Sequence, residues 1–188
     1  EAFKSGLSET DANAALTAVS LTDELTSLPN RRAVFEQLPK LFSRATDDSR
    51  YVLVAFADLD GFKQINDRYG HEIGDAFLKA IAERLRQEAT SDKVLGRLGG
   101  DEFIMASIGP KIYDQAVDAA EAFRDRLSSL LTGEYHLESC FIDYAGASIG
   151  VIVANPAIAT PDMALREADA VMYEDKKRRR CSACSAER

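Results

Sequence analysis

Along the chain, short apolar runs alternate with longer stretches in which apolar residues recur at helical spacing. Residues 51–57 (YVLVAFA) are continuously apolar with β-branched and aromatic members, which indicates a buried central strand. Two further short runs flank Gly99-Gly100 as in a hairpin, and another lies late in the chain. The predicted strands are residues 51–57, 94–98, 103–108 and 145–154.

Stretches in which apolar residues recur every three or four positions predict helices. The predicted helices are residues 8–25, 31–45, 62–69, 75–87, 113–131 and 161–178. Pro39 lies inside the second of these and is expected to kink or split it, because proline removes a helical hydrogen bond. Helices and strands alternate throughout, which predicts one α/β domain with helices packed against a mixed sheet.

This pattern divides the chain into three parts. Residues 1–20 are predicted to be an N-terminal signalling or linker helix, residues 21–180 a single domain, and residues 181–188 a polar tail. The helical stretch 8–25 is amphipathic, so it could dock on a neighbouring domain or pair with a second copy. Cys181 and Cys184 have the spacing of a redox or half-zinc motif, but no second pair accompanies them, and an unstructured end is the favoured interpretation.

Composition narrows the class of protein. At 188 residues and 46% hydrophobic, the chain suits one domain with a sizeable core. A formal charge of −8 argues against non-specific nucleic-acid binding, and no apolar run reaches the roughly 18 residues that cross a bilayer. Three cysteines fit a reducing cytosol. We therefore expect a cytoplasmic segment without nucleic-acid or membrane contact, with an upstream sensor or membrane-bound portion left open.

Two acidic clusters coincide with the ends of predicted strands. Asp58 follows the first strand, and Asp101-Glu102 lies in the turn of the hairpin. If these strands are neighbours, their carboxylates meet at one edge of the sheet. Hard oxygen ligands suit Mg²⁺ and can hold a pair of metal ions for in-line attack at phosphorus. The alternative for each single Asp is an ordinary solvated loop.

The segment after Asp58 has the features of an anion and base site. Gly61 allows the backbone to approach an anion closely, and Lys63 adds a positive charge. Asp75 could accept hydrogen bonds from guanine N1 and N2, whereas adenine would leave that carboxylate unpaired. Asn66 could cover the remaining groups of guanine, and His71 lies between them in the chain. The alternative for Asp75 is an N-cap of the predicted helix 75–87.

Five ordered motifs over roughly residues 20–180 resemble those of the GGDEF family of diguanylate cyclases. Gly99-Gly100-Asp101-Glu102-Phe103 is the signature after which that family is named. The other motifs are residues 23–32 (DELTSLPNRR), 58–75 (DLDGFK, then ND, then GHEIGD), 147–150 (ASIG) and 168–176 (AD, then Tyr173 and Lys176).

The resemblance implies a fold and a reaction. The fold would be that of polymerase palms and nucleotidyl cyclases, ferredoxin-like, with a mixed central sheet of about five strands flanked by helices. Each domain would bind one GTP, and two facing domains would condense two GTP into cyclic di-GMP and two pyrophosphates, each 3′-hydroxyl attacking the partner's α-phosphate. The expected partners are therefore GTP and a second copy of the domain. The expected cofactor is Mg²⁺, with Mn²⁺ as the alternative.

The resemblance also implies roles for individual residues. Asp58, Asp101 and the backbone carbonyl of Leu59 would bind the metal ions. The substrate-binding residues would be Phe62, Lys63, Asn66, His71, Asp75, Lys176 and Arg180, with the β- and γ-phosphates at Phe62, Lys63, Lys176 and Arg180. Asp101, Glu102 and Lys63 would be catalytic, the two carboxylates helping to deprotonate the attacking hydroxyl.

Two departures from the family pattern bear on function. Residues 90–93 (TSDK) stand where many members have Arg-x-x-Asp, so we expect no product inhibition through that primary site. The last helix of family members usually carries a small residue and a glycine before its arginine, whereas this chain reads Lys177-Arg178-Arg179 at that point. This basic run also fits the cations that are favoured at a helix C-terminus. The alternative function is a catalytically silent GGDEF domain that binds GTP or dimerises to regulate a neighbouring domain.

Overall fold

The computed structural model describes the backbone of residues 20–186 and the side chains of residues 20–181. The helices are α1 (Arg31–Asp47), α2 (Phe62–Tyr69), α3 (His71–Arg86), α4 (Tyr113–Leu131) and α5 (Pro161–Ala186). The strands are β1 (Val52–Leu59), β2 (Lys93–Gly99), β3 (Glu102–Ile108), β4 (Gly133–His136), β5 (Phe141–Tyr144) and β6 (Ala147–Ala154). None of these helices is both long and apolar enough to cross a membrane.

The main sheet has four strands in the order β2-β3-β1-β6, which confirms the predicted palm-like α/β fold. Its pairing is antiparallel throughout, rather than mixed. The reason is topological: β3 lies between β1 and β2, so the two strands joined through α2 and α3 are not neighbours. A separate two-stranded ribbon, β4 with β5, was not predicted.

Both faces of the sheet are covered by helices, which explains why β1 is continuously apolar. Alternate residues of β1 contribute to two cores. Leu53, Ala55 and Ala57 pack in the cluster that contains Phe77 of α3 and Phe123 of α4. The intervening residues Val52, Val54 and Phe56 pack in the cluster that contains residues of α1 and α5, such as Val34 and Met172. This sandwich leaves the strand ends and the connecting turns as the exposed edges.

Several predicted helix boundaries were wrong. Helix α1 is not split at Pro39 and extends to Asp47 rather than residue 45; Leu38 and Leu41 on either side of the proline are buried in the core. Helix α3 begins at His71 rather than at residue 75, directly after Gly70, whose φ of 88° lets the chain turn sharply between α2 and α3.

The two ends of the domain also differ from the prediction. Residues 20–25 are not helical; Thr22 instead forms an isolated bridge with Pro29, while residues 8–19 of the predicted helix lie outside the described part. At the other end, α5 continues to Ala186, so the tail predicted to be unstructured is helical as far as that residue.

Candidate active site

Three acidic residues meet at one edge of the sheet because β1 and β3 are neighbours. Asp58 lies opposite Glu102 in the β1–β3 register, and the Leu59 N–H donates to the Asp101 carbonyl at 3.1 Å. The turn that carries Asp101 favours glycine, because Gly99 and Gly100 both have a positive φ, of 140° and 52°. The sheet therefore places Asp58, Leu59, Asp101 and Glu102 together, as expected from the strand ends.

This edge is electrostatically unfavourable when it holds only carboxylates. Burial, followed by the charge of Asp58, raises the pKa of Asp101 above its ordinary value. Burial also raises the pKa of Glu102, with further contributions from the charges of Asp58, Asp101 and Asp169. Such a site gains stability from a cation.

The donor set fits a divalent cation that keeps open positions. Across the side chains described, no three His, Cys, Asp or Glu side chains form a metal-binding cluster. Mg²⁺ commonly takes one or two carboxylates and completes its shell with water and substrate phosphate. Asp58 already attracts a cation: the Lys176 ammonium lies 2.6 Å from its Oδ1, and the two side chains are only 19% and 11% exposed. The pair of Asp58 and Asp101, with the Leu59 carbonyl, is therefore suited to Mg²⁺ bound together with a phosphate.

A cleft of about 710 Å³ opens beside these carboxylates. Its charged lining residues are Asp60, Lys63, Asp101, Lys176, Arg178, Arg179 and Arg180, and its uncharged lining includes Gly61 and Phe62. Five cations against two carboxylates make it attractive to a polyphosphate. The structure thus brings together Phe62, Lys63, Lys176 and Arg180, although the last two lie more than 100 positions from Lys63 in the chain.

The three residues expected at the base do not line this cleft; they lie on α2 and α3. Gly74 is buried and faces Asn66, and a Cβ at position 74 would lie 1.8 Å from Asn66 Oδ1. Glycine at this position therefore makes room for the Asn66 carboxamide. His71 and Asp75 are exposed one turn apart on α3, and because α3 begins at His71, Asp75 is not its N-cap.

Residues 20–182 match the family model described as "Diguanylate cyclase, GGDEF domain". The chain belongs to the GGDEF family. This GGDEF domain is 46% identical over 167 residues to diguanylate cyclase DgcP of Escherichia coli, an alignment that covers 89% of this chain and 48% of that protein. The chain spans about half the length of DgcP and less of other curated relatives, such as 24% of the bifunctional protein MucR.

Solved structures of GGDEF domains have the same fold. A sensory box/GGDEF family protein from Caulobacter crescentus superposes with a TM-score of 0.76 at 32% identity, covering 84% of this chain and 99% of that one. The GGDEF domain of DgcB from the same organism, solved in complex with c-di-GMP, gives a TM-score of 0.70 at 26% identity, covering 84% and 88%.

Two arginines that support the site of this GGDEF domain were missed in the sequence. Arg97 is 9% exposed, and its guanidinium donates to both oxygens of Asp23 at 2.8 and 3.0 Å and to the Gly100 carbonyl at 3.0 and 2.7 Å. Although burial alone would raise it, the pKa of Asp23 is lowered by hydrogen bonds from Thr26 and Arg97. Arg97 therefore ties the N-terminal motif to the signature turn.

The second missed residue is Arg179, whose Nε donates to Asp60 Oδ2 at 2.7 Å. Neither arginine could be assigned a partner from spacing, because the ion pairs join residues 74 and 119 positions apart. The only signal in the sequence was that Asp23 and Asp60 both lie inside family motifs.

Proposed function

We propose that this GGDEF domain is a diguanylate cyclase that condenses two GTP into cyclic di-GMP and two pyrophosphates. The observation that carries the proposal is the carboxylate edge of Asp58 and Asp101 directly beside a cleft lined with cations. A triphosphate in that cleft would present its α-phosphate to the carboxylate edge. The cyclase name of DgcP, 46% identical to this chain, supports the same activity.

The chemical step is a transfer at phosphorus. The 3′-oxygen of one GTP forms a bond to the α-phosphorus of the GTP on the facing domain, the bond from that phosphorus to the bridging oxygen breaks, and pyrophosphate leaves. The hydroxyl proton passes to a carboxylate. Asp101, with Glu102, is proposed to accept it, because both carboxylates lie at the end of the sheet where β1 and β3 meet, and Asp101 also lines the cleft. The same step with the nucleotides exchanged closes the ring.

Mg²⁺, or Mn²⁺, would be held by Asp58, Asp101 and the Leu59 carbonyl, and would supply positive charge at the reacting phosphate. Lys63, Lys176 and Arg180 would bind the β- and γ-phosphates together with the backbone around Phe62. Helix α2 begins at Phe62 and Lys63 is its second residue, so the free amides of that helix N-terminus lie beside Lys63.

Guanine would be selected on α2 and α3. Asp75 would accept from guanine N1 and N2, Asn66 would hydrogen bond the remaining groups, and His71 would lie at the base or ribose. These side chains lie on two consecutive helices, and the absence of a Cβ at Gly74, next to Asp75 in the chain, leaves room for the Asn66 carboxamide.

A domain that holds one GTP holds half of the reactants, so we propose that catalysis needs two domains face to face. The chain carries a formal charge of −8, which opposes spontaneous pairing of two copies and favours an upstream segment that brings them together. A sensor domain is the proposed source of that input, since the similar Caulobacter protein is of the sensory box/GGDEF type. The proposed use of GTP would require this segment to lie in the cytoplasm.

The test is incubation of the purified chain with GTP and Mg²⁺, followed by chromatography and mass spectrometry of the nucleotides. We expect cyclic di-GMP and pyrophosphate, with a specific activity that rises with protein concentration. Asp101→Asn should abolish the product, whereas Asp118→Asn, which changes an exposed aspartate on α4, should not. GTP binding without product at high protein concentration would instead identify a silent domain that regulates a neighbour.

A further inference from the structure

Arg179 connects α5 with Asp60, which lines the cleft, and with Ala145, which precedes β6. Its Nε donates to Asp60 Oδ2 at 2.7 Å, and its Nη2 donates to the Ala145 carbonyl at 3.0 Å. The other Asp60 oxygen, Oδ1, accepts from Ser148 Oγ at 2.7 Å. Both oxygens of Asp60 are thus engaged by residues from α5 and β6.

The position of Asp60 makes this contact electrostatically important. Asp60 lies directly before Gly61 and lines the same cleft as Lys63 and Arg180. A carboxylate with no counter-ion there would repel a triphosphate and would compete with the phosphates for the neighbouring cations. Arg179 neutralises it without using a charge from Lys63, Lys176 or Arg180.

The contact also orients the last helix. Residues 176, 179 and 180 share one face of α5, because positions three and four apart are neighbours on a helix. Anchoring Arg179 to Asp60 and Ala145 therefore turns Lys176 and Arg180 toward the cleft. The ion pair of Lys176 with Asp58 likewise joins α5 to β1, whereas the Lys177–Glu174 pair joins residues within α5.

We propose that Arg179 is a positioning residue that sets the affinity of this chain for a nucleoside triphosphate, by neutralising Asp60 and holding α5 against the cleft. The inference rests on the proposed function, since it assigns the triphosphate to this cleft. Because Asp60 lines the same cleft as Lys63 and Arg180, the proposed ligands of the β- and γ-phosphates, the effect of Arg179 should be larger for a triphosphate than for a monophosphate. It does not take part in the bond-forming step.

The experiment is equilibrium binding of a fluorescent, non-hydrolysable GTP analogue, with GMP as a competitor, to the full chain in Mg²⁺. Arg179→Gln is expected to weaken binding of the triphosphate analogue about tenfold, equivalent to about 1.4 kcal/mol. Its affinity for GMP should stay within about twofold of that of the parent. Asp60→Asn alone should bind the analogue at least as tightly as the parent. The double variant Arg179→Gln with Asp60→Asn should recover most of the lost affinity, because the repulsion has been removed.

Lys177→Gln is the matched control, because it removes the same charge from a neighbouring residue that pairs with Glu174 and lies outside the cleft lining. If Lys177→Gln lost as much affinity for the GTP analogue as Arg179→Gln, the proposal would be overturned, because the effect would then come from the net charge of α5. The proposal would also be overturned if the double variant bound the GTP analogue as weakly as Arg179→Gln, because Arg179 would then be a direct phosphate ligand. A parent chain that binds no GTP analogue would refute the proposed function itself, whereas normal binding by both parent and Arg179→Gln would refute only this inference.

Discussion

The contact between Lys176 and Asp58 leads to a prediction with two effects of opposite sign. The Lys176 ammonium lies 2.6 Å from Asp58 Oδ1. A divalent cation at Asp58 has to displace or repel that ammonium, whereas a bound triphosphate provides it with new partners. Lys176→Met should therefore strengthen metal binding in the absence of nucleotide and weaken GTP binding.

The magnitude follows from the burial of the pair. The side chains are 19% and 11% exposed, so solvent screens them only partly. A hydrogen bond between charged groups contributes about 1.5–3 kcal/mol net. If metal binding breaks it, removing Lys176 should raise metal affinity about 10- to 100-fold, since about 1.4 kcal/mol corresponds to a factor of ten. Loss of one phosphate-binding cation should weaken GTP binding about tenfold by the same conversion.

Mn²⁺ provides the assay, because the electron paramagnetic resonance signal of free Mn²⁺ reports binding directly without turnover. Lys177→Met is the control: it removes the same charge from a residue that pairs with Glu174 and does not line the cleft. An unchanged or weaker affinity for Mn²⁺ in nucleotide-free Lys176→Met would show that Lys176 does not compete with the metal, and the reasoning from the ion pair would fail.

Three other predictions concern the base site, the carboxylate edge and feedback. Gly74→Ala would push Asn66 out of place, because the new Cβ would lie 1.8 Å from its Oδ1; we expect a roughly tenfold higher KM for GTP and weaker discrimination against ATP in competition assays. Asp101→Asn should raise the melting temperature of the metal-free domain at neutral pH by about 2–4 °C, from about 1 kcal/mol of relieved repulsion. The direction of this effect follows from the pKa of Asp101, which is raised in the folded state. The contribution of this carboxyl to stability is full below its ordinary pKa of 3.8 and is lost as the pH rises through the raised pKa. The gain in melting temperature of the variant should therefore vanish in acid. Added cyclic di-GMP should leave initial rates within about twofold of the control, because residues 90–93 lack the Arg-x-x-Asp pattern; strong inhibition would reveal a product site elsewhere.

The regular elements were predictable where one physical signal dominated. The run 51–57 is apolar at every position because both faces of β1 are buried, and the glycines at 99 and 100 mark the hairpin. The β4–β5 ribbon gave no comparable signal, because each strand has four residues and Phe141 is exposed. The tail after Cys181 is polar, so its composition did not distinguish a continued helix from an unstructured end.

The candidate site was predictable where it depended on strand ends and unpredictable where it depended on tertiary contacts. Asp58 and Asp101 are placed by the strands that carry them. Lys176 could be assigned to the cleft only through the family resemblance, because it lies on a helix far along the chain. Arg97 and Arg179 have partners set by the fold alone, and no periodicity or spacing encodes such pairs.

The bridge from Asp23 through Arg97 to Gly100 determines where a functional fragment of this domain can begin. A chain that started at Arg31 would keep every helix and strand of the sandwich, yet its Arg97 guanidinium, 9% exposed, would lose its counter-ion. An unpaired buried charge costs several kcal/mol, so the turn that carries Asp101 would shift or the arginine would leave the interior. The shortest fragment that keeps the signature turn intact is thus limited at its N-terminal side by an ion pair and not by an element of secondary structure.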